Sequence, residues 1–169
     1  MRSFVKPQLI KLGLVALSAL ATVQAVHAQD EPAAAPASPE EALQKAVTDR
    51  QAVFKLISFN SDQVMAMLKK KAPFDATKAA LVGTRIEMLA PMIPELFAAD
   101  TRKATNVKTK AREGIWTSLP DFKAKSDELA KAAQALTAAA KSGDQGATMK
   151  AAVGVGKACS GCHDNFRDK

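Results

Sequence analysis

Between Leu43 and Phe166 the apolar positions recur at alternating steps of three and four, the spacing that lays a stripe along one side of an α-helix. The first run takes Leu43, Val47, Arg50, Phe54, Ile57, Ser61, Val64 and Leu68. Ahead of it, Ser38-Pro39-Glu40-Glu41 offers an N-cap serine, proline at the first helical position and glutamate three residues after the cap, so a helix is expected to start there; Pro73 marks its end. Asp75 can cap a second run, Ala79, Val82, Ile86 and Leu89, closed by Pro91 and Pro94. Ala98 to Arg112 carries no such period and reads as a polar, basic connection. The third run is Ile115, Leu119, Phe122, Ser126, Leu129, Ala133, Leu136 and Ala140, with Pro120 implying a kink or a restart in its first turns. Ser142-Gly143-Asp144 stops it and caps a fourth, on which Met149, Ala152, Gly156, Cys159, His163 and Phe166 share one face, expected to be buried. Gly154 and Gly156 each lower helix propensity by about 1 kcal/mol relative to Ala, which points to close approach of another backbone or of a flat group.

Four amphipathic helices with mostly short connections predict an all-α, antiparallel up-down-up-down four-helix bundle over residues 38–169. The rest of the chain has a different pattern. Residues 1–28 place Arg2, Lys6 and Lys11 before an apolar run from Leu12 to Val23 and then Val26-His27-Ala28, the layout of a secretory signal peptide cleaved near Ala28. The run is too short to span a bilayer, so no membrane span is expected after cleavage. Residues 29–37 are Ala- and Pro-rich without periodicity and read as a disordered leader. Cleavage would leave 21 Lys+Arg against 17 Asp+Glu, lowering the net charge from +7 to +4. Abundant Ala and Leu, no Tyr and one Trp agree with helices over strands.

The chemistry is concentrated at the C-terminal end of the fourth helix. Cys159-Ser160-Gly161-Cys162-His163 is the C-x-x-C-H pattern of c-type haem attachment: two thiols for covalent links and an imidazole for the iron. Cys159 and His163 stand at i and i+4 on one helical face. A thioredoxin-like pair would need a preceding strand, a disulfide across so short a loop contributes little, and zinc lacks a full ligand set, since the only other histidine is His27. One haem c is therefore expected, in an exported protein, which in a bacterium means the periplasm. In an up-down bundle the end of helix four lies beside the first half of helix one, the end of helix two and the start of helix three. The walls predicted from that topology are Arg50, Phe54, Ile57, Met88, Leu89, Met92, Trp116, Leu119 and Phe122. Met149 is excluded as a ligand by about 1.5 Å of helix rise per residue over the distance to His163.

Over essentially the whole segment after the signal, the sequence resembles the cytochrome c′ family. Cys159-x-x-Cys162-His163-x-x-Phe166-Arg167 matches that family's C-terminal pattern, and Arg50-Gln51-Ala52-Val53-Phe54-Lys55 its helix-one segment. Leu96-Phe97, Ile115-Trp116 and Phe122 also look like family positions, whereas Pro120 departs from the pattern. The resemblance implies a homodimeric bundle with a five-coordinate, high-spin haem that binds NO and CO. Low-spin relatives place a Met where this chain has Phe54, and phenylalanine cannot ligate iron, so Phe54 is expected to be an apolar distal lid. The resemblance also implies that Arg50 meets a haem propionate, where the residue pattern alone equally allows a stem packed on the stripe with its head in water. Arg167 is expected near the proximal face, or else as a solvated charge suiting the helix dipole. Trp116 and Phe122 are expected as both core and cofactor wall.

Two functions compete at this stage. One is gas sequestration at a five-coordinate haem; the other is electron transfer through a six-coordinate haem with Met88 or Met92 as sixth ligand. No histidine or acid appears in the predicted distal wall to assist peroxide cleavage, so an enzyme is not expected. The basic residues Arg102, Lys103, Lys108, Lys110 and Arg112 form either a solvated loop or a dock for an acidic redox partner protein. No nucleic-acid partner is expected. Phe59 and Met67 lie off the predicted stripe, which suggests an outward dimer contact on helix one.

Overall fold

The computed structural model describes residues 38–169, so the segments read as signal and leader lie outside the described residues. Six helices follow in order: α1 (Pro39–Leu68), α2 (Ala76–Leu89), α3 (Met92–Leu96), α4 (Gly114–Thr117), α5 (Leu119–Lys141) and α6 (Gln145–Phe166). The four long ones, α1, α2, α5 and α6, form the bundle. Each packs on its successor, and α6 returns to pack on α1.

The boundaries follow local chemistry. The Ser38 hydroxyl accepts from the Glu41 amide at 3.2 Å while the Glu41 carboxylate accepts from the Ser38 amide at 2.6 Å, so both donors at the start of α1 are satisfied. Asp75 and Asp144 cap α2 and α6 by accepting from the Lys78 and Ala147 amides at 2.8 and 2.9 Å. Such caps contribute about 1 kcal/mol each. Pro120 is a restart: the chain breaks at Ser118, and α5 begins with Pro120 in its first turn, where an N–H has no intrahelical partner to lose. The single third helix expected from Ile115 is therefore two, α4 and α5.

The core runs along the ring. Val64, Ile86, Ala133, Leu136, Ala152 and Val155 are fully buried. Between α2 and α5 the backbones approach so closely that a Cβ at Gly83 would lie 2.8 Å from the Ala133 carbonyl oxygen and 2.9 Å from the Thr137 nitrogen. The close approach expected at Gly154 does not occur, because a Cβ there would meet nothing within 4 Å. At Gly156 the nearest neighbour would be the Met65 methyl at 3.6 Å, an ordinary contact.

Two expected stripes are shifted. On α1 the buried positions are Val47, Arg50, Val53, Ile57, Asn60, Val64 and Met67. Phe54, Ser58 and Ser61 line a cleft beside that stripe, so one side of α1 faces helices and the adjacent side faces the cleft; the sequence pattern merged the two. Met67 is thus core, and cannot be part of an outward contact; Phe59 is exposed as expected. On α6 the buried positions are Thr148, Ala152, Val155, Ala158 and Phe166, while Cys159 and Cys162 are half-buried and His163 is exposed. Cys159, Cys162 and His163 occupy the cleft side, not the face packed against helices.

The segment after α3 is built as a strap. Glu40 on α1 accepts from the Thr105 amide and hydroxyl at 2.8 and 2.7 Å, and Gln51 donates to the Lys108 carbonyl at 2.6 Å. At its other end the strap pairs with the C-terminus. Arg112 N–H donates to the Phe166 carbonyl at 3.1 Å, Asp168 N–H to the Lys110 carbonyl at 2.9 Å, and the Arg112 guanidinium to Asp168 at 3.0 Å and the Asp164 carbonyl at 2.9 Å. A stretch without periodicity is therefore fixed across one end of the bundle, tying α1 to the end of α6.

Candidate haem site

The strap, α1, α5 and the end of α6 enclose a cleft of about 910 Å³, within the range of cofactor sites. Phe54 lines it from α1, Phe122 from α5, Phe97 from the turn after α3, and Cys159, Cys162, His163, Phe166 and Arg167 from α6. The aromatic rings touch in sequence. Phe54 meets Phe97 edge-on at 6.2 Å, Phe97 meets Phe122 at 4.8 Å, and Phe122 meets Phe166 at 5.2 Å. Phe54 itself is 37% exposed, so it stands at the cleft surface and not in the core.

Arg50 is the unusual residue of the site. It is only 2% exposed, with its guanidinium 4.5 Å from the centre of the Phe97 ring and 5.5 Å from that of Trp116. Nη2 donates to the Thr109 hydroxyl at 3.3 Å, while Nη1 is buried without a partner. The head group has not reached water, and burial lowers its pKa from the ordinary value without discharging it. A buried, lone guanidinium N–H at a cleft wall is uncompensated unless an anion comes to it.

On α6, burial pushes the Cys159 thiol up in pKa, and burial with the neighbouring Cys159 does the same for Cys162, so both remain thiols at neutral pH. Desolvation, with the Arg167 charge, lowers the His163 pKa against the opposing pull of Asp164, which favours the neutral imidazole that binds metal. Arg167 follows the last turn of α6, its amide donating to the His163 carbonyl at 3.2 Å.

Several expected walls are elsewhere. Met88 is 70% exposed and Met92 40% exposed, and neither lines the cleft; nor do Leu89 and Leu119. Met88 lies on α2 off the buried face of Ala79, Val82 and Ile86, and the turn at Pro91 into α3 brings Ile93 and Phe97 to the cleft while Met92 stays exposed. No methionine lines the cleft among the described residues. Trp116 is displaced too: it stands behind Phe97 at 5.9 Å, its indole N–H donating to the Phe97 and Ala99 carbonyls at 3.1 Å, so it supports the wall without lining it. Phe97 and residues 107–111 of the strap were the walls that sequence patterning missed. Phe97 follows two prolines in a short apolar cluster, the one local hint of burial; the strap has no such hint.

The donor set fits a haem. Two thiols and an imidazole stand together at an aromatic-walled cleft, and the unpartnered Arg50 Nη1 suits a carboxylate-bearing group. Comparison with known proteins agrees. The family model described as cytochrome C′ matches residues 45–167. Cytochrome c′ of Rubrivivax gelatinosus is 41% identical over 125 residues, covering 73% of this chain and 95% of that protein. Among solved structures, cytochrome c prime from Shewanella frigidimarina is 35% identical with a TM-score of 0.68, over 75% of this chain and 97% of that one. A nitric oxide complex of a variant of cytochrome c prime from Alcaligenes xylosoxidans is 28% identical with a TM-score of 0.66, over 75% and 97% of the two chains.

Proposed function

This chain belongs to the cytochrome c′ family, whose members carry one covalently bound haem c, and on that premise we propose that it is an exported, periplasmic NO- and CO-binding cytochrome with a five-coordinate haem. Cys159 and Cys162 would hold the haem through thioether links and His163 would ligate its iron. When bound, the haem supplies an iron that takes up diatomic gases and can exchange one electron. The residues around it decide which use prevails.

The observation that carries the reading is Phe54 at the cleft surface with no methionine in the cleft lining among the described residues. A phenyl ring excludes water from the open side without offering a lone pair to the metal. It also offers no hydrogen-bond donor, so NO and CO, which need none, are favoured over oxygen, whose bound form is polarised. Arg50 orients the cofactor by pairing its free N–H with a propionate. Phe97 and Trp116, their ring centres 4.5 and 5.5 Å from the guanidinium carbon, would steady that guanidinium by cation–π contact.

Exposed Phe59 and Leu56, about one turn apart on α1, support a twofold contact with a second copy, and a homodimer is expected; sedimentation showing a monomer at micromolar concentration would count against that. The optical spectrum of the purified ferric and ferrous protein tests the central reading. High-spin spectra, with CO and NO adducts and no stable oxygen complex, are expected; a low-spin ferrous spectrum at neutral pH would overturn it.

A further inference from the structure

We propose that the cationic mouth of the cleft is a docking surface for an electron-exchanging protein that presents carboxylates. This rests on the haem reading above. Lys55, Lys108, Lys110, Lys125 and Arg167 line the cleft together with buried Arg50, and no carboxylate lines it among the described residues. The charges come from α1, the strap, α5 and the end of α6, so their common sign reflects tertiary assembly and not one basic run.

The strap's own cations divide in an informative way. Arg102 and Arg112 are taken up in ion pairs with Asp100 and Asp168, while Lys103, Lys108 and Lys110 enter none of the ion pairs among the described residues. Lys108 and Lys110 are the two at the mouth. Their backbone carbonyls are fixed by Gln51 and by the Asp168 amide, so the side chains are presented on an anchored segment. Lys55 is likewise exposed and outside those pairs, whereas Lys125 is partly offset by Glu128 at 2.9 Å. The two carboxylates of a haem would neutralise part of this charge and leave an excess. Exposed ammonium groups spread around a rim do not converge on a small anion, but they match an acidic protein surface and steer its approach.

The test is stopped-flow oxidation of the ferrous holoprotein by plant plastocyanin, an acidic protein, and by a basic mitochondrial cytochrome c. One electron leaves the haem iron and reduces copper(II) to copper(I), or ferric to ferrous iron in the second acceptor, with no proton or bond transferred. The rate with plastocyanin should fall with rising salt and drop about tenfold in Lys55→Glu/Lys108→Glu/Lys110→Glu, which should react faster with the basic acceptor. Lys71→Glu/Lys141→Glu/Lys150→Glu makes the same change of charge toward the opposite end of the bundle and should stay within about twofold. Equal losses in the two triple variants, or a rate indifferent to salt, would overturn the docking surface. Haem staining on a denaturing gel and an unchanged spectrum are read first. Absence of covalent haem there would overturn the haem reading itself, independently of the kinetics.

Discussion

The seam between α2 and α5 and the space between α1 and the end of α6 are built from helices of the same period, yet one is closed to a backbone contact and the other opens into a cleft. In the seam, Gly83 faces Ala133 and Thr137, and Ala79, Val82 and Leu136 are fully buried around it, so small side chains let the helices approach. At the cleft, Phe54 and the two cysteines face each other's helices across a gap that the strap roofs with Val107 to Ala111. Side-chain size and a non-helical segment, not the apolar period, separate a core from a binding site.

The largest effect should come from the cleft's α6 side. Cys159→Ala/Cys162→Ala should abolish covalent haem altogether, read by haem staining after denaturing electrophoresis. A retained stain would remove the attachment assignment.

Across the cleft, Phe54→Ala should speed CO binding severalfold by opening the face, and Phe54→Met should shift the ferrous spectrum toward low spin with slower ligand entry. Both should leave stability nearly unchanged, since Phe54 is already 37% exposed. A CO rate unaffected by Phe54→Ala in flash photolysis would mean the ring does not guard the face.

The seam should respond in the opposite way. Gly83→Leu should destabilise the protein by about 1–3 kcal/mol through overpacking, even though leucine favours helix, while the haem spectrum and CO rate stay as in the parent. Urea denaturation measures it, and an unchanged midpoint would show that the two helices can separate freely.

The smallest effect concerns the strap that makes the two regions differ. Hydrogen bonds from the Thr105 hydroxyl, Gln44 and the Thr105 amide lower the Glu40 pKa. A carboxylate depressed on folding stabilises above its ordinary pKa, near 4.3, and loses that contribution as pH falls through the lowered value. Protection of the Thr105 amide, measured against its intrinsic exchange rate at each pH, should therefore fall only in acid below the ordinary glutamate range, and Glu40→Gln should remove the dependence. Protection already absent at neutral pH in the parent would show that Glu40 does not hold the strap.

Much of this was legible beforehand. The capping box at Ser38, the capping aspartates Asp75 and Asp144, and the runs of α2 and α5 were readable because they are local hydrogen bonds and periodicities. The places of Phe54, Cys159, Cys162 and His163 at one cleft agree with the motif and the helix-one segment that singled them out. Met88, Met92 and Trp116 were misplaced because the topology gave their height along the bundle, while their direction was set by the phase of α2 for Met88, by the turn at Pro91 for Met92 and by the indole hydrogen bonds to Phe97 and Ala99 for Trp116. Phe59 and Met67 looked alike by period, yet one is exposed and the other buried, since Met67 continues the packed run Val53, Ile57, Asn60 and Val64 while Phe59 lies off both that run and the cleft.

By itself the sequence determined four amphipathic helices, the starts of the first, second and fourth, and a C-x-x-C-H motif at the end of the last. Each depends on groups a few residues apart, joined by short-range geometry. Only the tertiary structure decided that Arg50 is buried with a free N–H, that Phe97 and not Trp116 faces the cleft, and that residues 107–111 close it. Those outcomes depend on groups some fifty to sixty residues apart, as in the hydrogen bond from Arg50 to Thr109, 59 residues on, and packing alone brings such groups together.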